Sequence, residues 1–365
     1  MRIVCISAAQ IPSDTANSIQ VMKVCQAFVQ LGHQVILLVP GEQPPAAGSP
    51  QLQSHYGLQA SFPIQWIPVR DRRTFPWVAA RQARRLAPDL LYAWPPQSAV
   101  FSLLSGKPSM LELHDLPTGR FGPLWLRLFL ALPGQKRCLP ITEALRRVLR
   151  LPLAHTVIAP DGVDIERYHD LPDPESARRQ LDLPEGTTVL CTGHLYAGRG
   201  ADLFLALAAK FPPASFVWVG GRPEDVQVWK GRAAGLANGT FTGFVPNEKI
   251  PLYQSAAEVL LMPYGRAVTT SSGGNTAEIC SPMKMFEYMA AGRAILTSDL
   301  SVLHEVLDET MAVFSPLEQV EAWEAALAGL LADPQRRQIL GRNARKAAEQ
   351  YSWIRRAQRS LEGFL

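Results

Sequence analysis

The sequence predicts an α/β protein built from two similar domains, each with a parallel β-sheet between layers of helices. Short apolar, strand-like segments alternate with amphipathic helical patterns along the 365 residues. The alternation pauses at a stretch with several prolines, residues 160–174, and then begins again. Because strand–helix alternation is typical of parallel sheets covered on both faces, we predict two Rossmann-like domains, residues 1–165 and 166–350, with a hinge at 160–174.

The first domain is predicted to open with a strand at residues 2–7 and an amphipathic helix at 18–31. The helix ends at Gly32, a residue type that favours a helix C-terminus. Further apolar runs of suitable length predict the remaining strands of this domain, at residues 34–39, 64–69, 90–94, 109–114, 138–142 and 156–159.

The second domain repeats the pattern, with a strand at residues 188–192 and a helix from about residue 200. Its later strands are predicted at residues 216–220, 240–244, 259–263, 294–297 and 311–314, and the chain after Pro316 is helical. Ligands of such sheets bind beyond the carboxyl ends of the strands, and two domains facing one another form a cleft. We therefore expect the functional residues in the strand-to-helix loops.

The composition is that of a globular protein, with 47% hydrophobic and 19% charged residues. A net charge of +4 is too small for a protein that works on nucleic acid. No apolar run has the length of a membrane span and the N-terminus lacks a secretory signal, so we expect a cytoplasmic protein. The five cysteines lie far apart without a CxxC pair, and we expect neither a disulfide framework nor a metal site.

Basic residues are concentrated in the first half of the chain. The first 165 residues contain 16 Lys and Arg against 9 Asp and Glu, and the rest of the chain contains 20 against 23. Most of the excess lies in residues 70–85 and 117–154, where Trp77, Trp125 and Phe129 are interleaved with the basic side chains. This pattern fits a solvated basic face on two helices, or a surface that rests on anionic lipid or receives an acidic acceptor.

The loop after the first strand carries four polar side chains beside a helix N-terminus: Ser13, Asp14, Asn17 and Ser18. Free N–H groups and the helix dipole favour an anion there, so we predict that these residues line the cleft. Ser18 or Asn17 can instead be the N-cap of the helix.

The corresponding loop of the second domain is GHLYAGRG, residues 193–200. Its glycines, Gly193, Gly198 and Gly200, let backbone approach a phosphate closely, and Arg199 supplies a cation for a diphosphate. The loop has neither the GxGxxG spacing of dinucleotide-binding proteins nor the GK[ST] ending of a P-loop, so neither motif is predicted.

A second cation is predicted in the segment SPMKMFEYMAAG, residues 281–292. Ser281 as N-cap, followed by proline, fixes a helix start, and Lys284 and Glu287 then share one face of the helix. A lysine in the first turn opposes the helix dipole, which is understandable if an anion docks there, and Glu287 can accept hydrogen bonds from a ribose. The alternative is a surface Lys–Glu pair worth about 0.2–0.5 kcal/mol.

His114 ends a predicted strand of the first domain. Strand alternation places His114 and Glu112 on one face and Asp115 on the other, so a His–Asp dyad is not expected. A histidine at a carboxyl end that faces the cleft is either a functional group or a structural hydrogen-bonding residue.

The chain resembles the glycosyltransferases of family 4, which have the two-domain GT-B fold. The resemblance lies in five segments that span most of the chain: residues 13–40, LELHD (111–115), PDGVDIERY (160–168), residues 241–264 and SPMKMFEYMAAGRAIL (281–296). It implies retaining transfer of a hexosyl group from a nucleotide sugar, such as a UDP-, GDP- or ADP-hexose, with no metal and no other cofactor. The donor would bind to the second domain and the acceptor to the first, with the terminal helix, residues 351–365, packing back on the first domain.

Taken position by position, the resemblance makes Glu287 the second glutamate of the family's E-x7-E motif, in contact with the donor ribose. Arg199 matches a residue that binds the diphosphate, and His114 matches a histidine near the reacting sugar. These two and Lys284, as a second cation, are the predicted catalytic residues. The other predicted donor-site residues lie in loops at strand ends, with residues 243–245 framing the base: Gly193, His194, Gly198, Gly243, Phe244, Val245 and Ser281.

Two positions depart from the family pattern. The first glutamate of the motif falls at Ile279, with Glu278 one residue out of register, and the arginine expected before the basic residue is replaced by His194. An active transferase is the expected function, and Lys284 would compensate. A nucleotide-sugar-binding or scaffold protein of the same fold is the alternative. An epimerase would need acidic and basic groups for proton abstraction that the sequence does not offer.

The acceptor is expected to be a glycan or a lipid-linked glycan, as in polysaccharide biosynthesis. The basic first half of the chain favours an acidic or membrane-borne acceptor and peripheral contact with the cytoplasmic face of a membrane. Closure of the two domains about residues 160–174 would exclude water from the activated donor.

Overall fold

A computed structural model of the chain describes residues 1–44, 49–117, 119–268 and 275–364, with only the backbone of Ser49. The chain forms two compact units. One contains Met1–Asp161 and the chain from Trp353 onward, and the other contains Gly162–Ser352. Residue 365 of the predicted terminal segment lies outside the described residues. Within the part of the chain described, no helix is both long and apolar enough to cross a membrane.

The first unit is a six-stranded parallel sheet with helices between the strands. Its strands are β1 (Arg2–Ile6), β2 (Gln34–Pro40), β3 (Ile64–Ile67), β4 (Leu90–Ala93), β5 (Ser109–Leu113) and β6 (Lys136–Pro140). Its helices up to the change of unit are α1 (Ala16–Gln30), α2 (Ser49–Tyr56), α3 (Phe75–Arg85), α4 (Pro96–Leu104), α5 (Gly122–Ala131) and α6 (Glu143–Leu149). The strands are ordered β3-β2-β1-β4-β5-β6, so the strand order reverses between β1 and β4.

The second unit repeats this topology. Its strands are β7 (Thr188–Thr192), β8 (Ser215–Val219), β9 (Gly239–Phe241), β10 (Val259–Met262), β11 (Ala294–Ser298) and β12 (Ala312–Ser315). Its helices are α7 (Pro174–Gln180), α8 (Ala201–Lys210), α9 (Pro223–Arg232), α10 (Ile250–Ser255), α11 (Met283–Ala291), α12 (Val320–Ala332) and α13 (Pro334–Ala348). The order β12-β11-β10-β7-β8-β9 places the reversal between β7 and β10. The predicted α/β fold with two Rossmann-like parallel sheets is confirmed.

The predicted strand at residues 156–159 is wrong. Only Thr156 forms a bridge, to Cys138 in β6. The chain does run beside β6, because the amide of Val157 donates to the Cys138 carbonyl at 3.0 Å. In a parallel ladder the amide of residue 140 would donate back, but Pro140 has no N–H, so no second bridge forms although the Ala159 amide still donates to the Pro140 carbonyl at 2.9 Å.

The last helix, α14 (Trp353–Leu361), belongs to the first unit and packs against α1. It is strongly amphipathic, with Trp353, Arg356, Ala357 and Ser360 buried. One of these four is an arginine, and its partners lie at the carboxyl end of the first unit's sheet.

In the second unit, the loop 193–200 lies between β7 and α8, and the packing of α8 fixes the position of its C-terminal end. Phe204 of α8 is fully buried. Its ring meets those of Phe216, Trp218 and Phe241 edge-on, with centroids 5.3–5.7 Å apart. Such aromatic packing is worth about 0.5–1.5 kcal/mol per pair beyond burial, and it holds α8 against β8 and β9.

Candidate active site

His114 follows β5 at the carboxyl end of the first unit's sheet. Its Nε2 lies 2.6 Å from Glu112 Oε1. The His114 side chain keeps 28% of its exposure, whereas that of Glu112 has none. The two residues share a face of the strand, as alternation predicted, and Asp115 accepts instead from the Leu116 amide at 2.7 Å.

Glu112 is paired in turn with Arg356 of α14, whose Nη2 lies 2.6 Å from Glu112 Oε1. Burial by itself would raise the pKa of Glu112, but the charge of Arg356, followed by the contact with His114, lowers that pKa to about 2. Burial would lower the pKa of His114, but its hydrogen bond with the Glu112 carboxylate outweighs this and raises that pKa. His114 is therefore held by a carboxylate that stays ionised.

The loop before α1 is held by hydrogen bonds to side chains of α1 and α2. The Ser13 amide donates to the Tyr56 hydroxyl at 2.8 Å, and the Ser18 hydroxyl donates back to the Ser13 carbonyl at 2.5 Å. Asp14 and Asn17 are exposed. Asp14 also lies 3.7 Å from His55, measured between its Oδ1 and the histidine Nε2.

The N-cap prediction for α1 is wrong. The helix begins at Ala16, two residues before the predicted start, and its N-cap is Thr15, whose hydroxyl accepts from the Ser18 amide at 3.4 Å. Thr15 has the extended backbone that an N-cap needs, whereas Asn17 and Ser18 already lie inside the helix.

In the second unit, the carboxyl ends of β7, β8 and β9 meet through three glycines. The Gly193 amide donates to the Val219 carbonyl at 2.8 Å, and the Gly220 amide donates to the Gly243 carbonyl at 2.9 Å. At Gly220, with φ of +115°, a Cβ would lie only 2.7 Å from the Gly193 carbonyl oxygen, so a side chain does not fit. Gly220, which the sequence predicted only as a strand end, thus brings together Gly193 and Gly243, which were predicted from separate motifs.

The other glycines of the loop 193–200 allow a close contact with the protein's own backbone. A Cβ at Gly198 would overlap the Ala267 carbonyl, and a Cβ at Gly200 would overlap the Pro263 carbonyl. The close backbone approach expected for a phosphate is therefore made, at these two positions, by the protein's own chain after β10. Gly193 is the exposed glycine of the three.

Arg199 and Lys284, predicted from separate segments, lie against the same tyrosine. Arg199 Cζ is 5.3 Å and Lys284 Nζ is 5.1 Å from the centroid of the Tyr264 ring, and Arg199 Nη1 donates to the Tyr264 hydroxyl at 3.2 Å. Lys284 Nζ also lies 3.7 Å from Cys191 Sγ and 3.6 Å from where a Cβ of Gly193 would lie. Two cations therefore converge beside the exposed glycine at the point where the strand order reverses.

Lys284 is not half of a surface Lys–Glu pair. It is only 9% exposed, and among the described residues no carboxylate forms an ion pair with it. Glu287, one turn further along, accepts from Gln254 instead. A buried ammonium without a carboxylate is costly unless an anion compensates it, which makes an anionic ligand its natural partner.

Glu287 is held by a chain of side chains. Gln254 Nε2 donates to Glu287 Oε2 at 3.1 Å, and Gln254 Oε1 accepts from the Tyr168 hydroxyl at 2.8 Å. Gln254 is fully buried. Burial, followed by the charge of Glu287, raises the pKa of Tyr168, so its hydroxyl keeps its proton and donates it. The PDGVDIERY segment thus fixes the carboxylate predicted to bind the ribose.

The two residues that depart from the family motif, Ile279 and His194, have different surroundings. Ile279 is buried, at 7% exposure, and the neighbouring Glu278 is exposed. His194 stacks on Tyr196 with ring centroids 4.8 Å apart, and Arg222 Cζ lies 5.3 Å from the same ring. His194 is therefore part of an aromatic stack at the strand ends.

Phe244 and Ser281 are two further residues that were predicted to bind the donor. Phe244 is 43% exposed next to Gly243, whose carbonyl also accepts from the Thr242 hydroxyl at 2.9 Å. The predicted N-cap Ser281 is wrong. Because Pro282 has an extended backbone, α11 begins at Met283 and Ser281 lies one residue before the cap.

Sequence reasoning missed Tyr264, Gly220, Gln254 and Arg356. Tyr264 and Gly220 follow predicted strands, so a search of every strand end for aromatic and glycine residues would have found them. Gln254 and Arg356 lie on helices and carry no such signal. Within the described residues, no group of three or more His, Cys, Asp or Glu side chains is arranged to hold a metal ion.

Comparison with known proteins gives a consistent result. The family model "Glycosyltransferase Family 4" matches residues 18–167, and "Glycosyl transferases group 1" matches residues 186–333. The phosphatidyl-myo-inositol mannosyltransferase of Mycolicibacterium smegmatis is 25% identical over 97% of this chain and 90% of its own length. The 2-deoxystreptamine N-acetyl-D-glucosaminyltransferase of Streptomyces fradiae is 32% identical over 44% of each chain.

Solved structures show the same fold. The crystal structure of Anabaena HepE in complex with UDP superposes with a TM-score of 0.75 at 15% identity, covering 99% of both chains. Sucrose-phosphate synthase from Thermosynechococcus elongatus superposes with a TM-score of 0.73 at 20% identity, covering 98% of this chain and 97% of that one.

The fold and the two matched segments define a glycosyltransferase of the GT-B fold. The resemblance to glycosyltransferase family 4 that the sequence motifs indicated is confirmed.

Proposed function

We propose that the protein is a retaining, metal-independent hexosyltransferase. It moves a sugar from a nucleotide-sugar donor to a hydroxyl group of a glycan or lipid-linked glycan. The observation that carries this proposal is the convergence of Arg199 and Lys284 on Tyr264, beside Gly193, at the reversal of strand order in the second unit. Such a point is where α/β sheets bind nucleotides.

The two cations have a defined task in this reaction. When the bond between the sugar C1 and the diphosphate oxygen breaks, its electron pair leaves with the diphosphate, which gains negative charge. Arg199 and Lys284 stabilise that charge from fixed positions, so no metal ion is required for it. The acceptor hydroxyl attacks C1 from the face that the diphosphate leaves, which retains the anomeric configuration, and its proton passes to the departing diphosphate oxygen.

The remaining residues bind and orient. Glu287, held by Gln254, accepts hydrogen bonds from the ribose hydroxyls, and residues 243–245 frame the base. His114 orients a hydroxyl group of the acceptor or of the reacting sugar rather than acting as a general base. No cofactor other than the donor itself is needed.

A thermal-shift panel of UDP, GDP, ADP, dTDP and NAD, repeated with the matching sugar nucleotides, tests the donor proposal. A ligand present at about 100 times its Kd stabilises its site by about 2.7 kcal/mol. One nucleoside diphosphate should stand out, NAD should not, and the matching sugar nucleotide should be hydrolysed slowly without acceptor. If no diphosphate shifts the transition, the proposal fails. Binding without any hydrolysis or transfer would favour the nucleotide-sugar-binding scaffold instead.

We further propose that the acceptor is membrane-borne and that the first unit docks on the cytoplasmic face of an anionic membrane. The relative from Mycolicibacterium smegmatis is by name a mannosyltransferase for phosphatidyl-myo-inositol. In this chain, α3, α4 and α5 pack side by side. The exposed large apolar side chains of this surface, all between 37% and 61% exposed, are Trp77, Val78, Leu104, Phe121, Leu124 and Leu128.

The same helices also carry exposed basic side chains. Arg81, Arg84 and Arg85 of α3 and Arg127 of α5 are exposed. Phe129, which the sequence placed among the basic residues, is fully buried and belongs to the core instead. Apolar side chains that can enter a bilayer interface, together with exposed arginines worth about 1 kcal/mol each near anionic lipid, fit such docking.

Pelleting with vesicles of phosphatidylglycerol and phosphatidylcholine tests the docking surface. Trp77→Ser with Leu124→Ser, and separately Arg81→Glu with Arg127→Glu, should each reduce pelleting at least fivefold. The control is Val228→Ser with Lys230→Glu, an exposed apolar and basic pair on α9 of the other unit, which should pellet as the wild type does. Equal pelleting by all variants would overturn the docking proposal and leave the donor proposal untouched.

A further inference from the structure

The carboxylate of Glu112 is the centre of a buried cluster in the first unit. Four side chains from different parts of the fold hydrogen-bond to its two oxygens: Gln20 from α1, Tyr92 from β4, His114 after β5 and Arg356 from α14. Glu112 and Arg356 are 244 residues apart in sequence, and both side chains are buried.

We propose that Arg356 is a positioning residue for the transfer reaction: it holds Glu112 so that this carboxylate fixes the His114 imidazole with Nδ1 turned toward a sugar hydroxyl. The proposal rests on the role of His114 given above. It makes the terminal helix α14 part of the site of the first unit.

The contacts of Arg356 explain why an arginine is needed. Besides Glu112, its Nη2 donates to the Ala159 carbonyl at 3.1 Å, and its Nε donates to the Pro160 carbonyl at 2.8 Å. Its Nη1 lies 3.4 Å from the Tyr92 hydroxyl. A guanidinium offers several donors in one rigid plane, whereas a lysine has one nitrogen at the end of a flexible chain. Arg356 therefore ties the carboxylate to the backbone of the segment that follows β6.

The hydrogen bond between Glu112 and His114 determines which ring nitrogen of His114 carries the hydrogen. An ionised carboxylate can only accept hydrogen bonds, so Nε2, which faces Glu112, carries the hydrogen. Nδ1 is then the free position of the neutral ring, where it accepts a hydrogen bond from a hydroxyl group. The 28% exposure of the His114 side chain leaves room for such a partner.

The charged groups that face His114 are Glu112 from its own strand, Arg356 from α14 and Asp161 from the segment before the change of unit. The charge of Glu112 and that of Asp161 raise the pKa of His114, and the charge of Arg356 lowers it. The charge of Arg356 thus opposes protonation of the imidazole beside two carboxyl groups. Without it, a buried histidine–glutamate ion pair would form, and Nδ1 would carry a hydrogen instead of accepting one.

The titration of His114, followed by NMR of its imidazole nitrogens, tests the proposal without any substrate. The His114 signal is assigned by its loss in His114→Asn. The wild type should show the Nε2–H tautomer of the neutral ring. In Arg356→Gln we expect the pKa of His114 to rise by about one unit. Arg355→Gln, which removes the exposed arginine next to it on the same helix, should leave the titration unchanged.

Arg356→Gln leaves a buried carboxylate without its main counter-charge and can fail to fold. The double variant Glu112→Gln with Arg356→Gln removes both charges and avoids this problem. In that variant the pKa of His114 should fall below the wild-type value by about one unit, and the tautomer should no longer be fixed. A purely structural role for Arg356 would lower thermal stability without moving either property.

An unchanged pKa and tautomer of His114 in the folded variants would overturn the proposal. The proposal for Arg356 and the proposal for the nucleotide-sugar donor can fail independently of each other. The NMR titration involves no donor, and the thermal-shift panel with nucleoside diphosphates does not depend on His114.

Discussion

Lys284 Nζ lies 5.1 Å from the centroid of the Tyr264 ring, and the lysine is almost entirely buried. The ring provides a cation–π contact worth about 0.5–2 kcal/mol, which offsets only part of the cost of burying the charge. The site therefore holds positive charge in advance of its ligand. An anion that binds there finds its partner already desolvated and oriented.

Replacing this lysine should impair the reaction strongly. We expect Lys284→Ala to raise the donor KM or lower kcat at least tenfold, because about 1.4 kcal/mol of stabilisation of the departing diphosphate corresponds to that factor. Initial rates of donor hydrolysis and transfer measure the effect. Lys210→Ala, which removes an exposed lysine paired with Glu324, is the control and should behave as the wild type. Wild-type rates in Lys284→Ala would remove this lysine from the mechanism.

Gln254 is expected to act through Glu287. Gln254→Leu releases the Glu287 carboxylate and strands the Tyr168 hydroxyl, so nucleoside diphosphate affinity should fall about five- to tenfold. Stability should fall as well, by about 1–3 kcal/mol. Isothermal titration calorimetry gives the affinity and urea unfolding the stability. In Gln227→Leu, an exposed position on α9, both should stay as in the wild type. A destabilised Gln254→Leu protein with normal affinity would show that Gln254 serves folding alone.

The cluster around Glu112 predicts a stability maximum at mildly acidic pH. The pKa of Glu112 is lowered from 4.5 to about 2, so the stability that its pairing contributes is present above pH 4.5 and is lost as the pH falls toward 2. Burial raises the pKa of Asp161 from 3.8 to about 6. Between these two values the folded state keeps a proton that the unfolded state has released, so stability falls as the pH rises.

Urea unfolding between pH 3 and pH 8 measures this profile. Asp161→Asn should remove the decline between pH 4 and pH 6, and Glu112→Gln should weaken the loss below pH 4.5. Asp115→Asn, a neighbouring carboxyl outside the cluster, is the control. The assignment of the decline to Asp161 would be contradicted if Asp161→Asn kept the wild-type slope.

The contact between α11 and α13 depends on a glycine. A Cβ at Gly341 would overlap the Gly292 carbonyl oxygen and lie 2.8 Å from the carbonyl carbon, so the two helices approach backbone to backbone. We expect Gly341→Ala to destabilise the second unit by about 1–3 kcal/mol. Gly231→Ala is the matched control, because nothing lies within 4 Å of its Cβ position on α9. There alanine should be neutral or stabilising by up to about 1 kcal/mol. Equal urea midpoints for the two variants would contradict the packing argument.

The sequence predicted where Gly193, Arg199 and Lys284 lie relative to the strands of the second unit, for a local reason. Gly193, Arg199 and Lys284 each follow a strand or begin the next helix, and parallel strands bring their carboxyl ends to one edge of the sheet. Local patterns did not predict which side chain contacts each charged group. Lys284 was predicted beside Glu287, but the glutamate is bound by Gln254 and the lysine lies against a tyrosine.

The sequence by itself determined the two α/β units, because apolar periodicity and turn residues are local properties that a chain carries wherever it folds. It also determined which loops lie at the carboxyl ends of the strands. Only the tertiary structure decided that a single bridge forms at residue 156, that Gln254 fixes Glu287 and that Arg356 fixes Glu112. Each of these depends on which surfaces pack together. Arg356 and Glu112 are 244 residues apart, so bringing them together costs chain entropy, which the packing of α14 offsets. No local sequence pattern predicts where α14 packs.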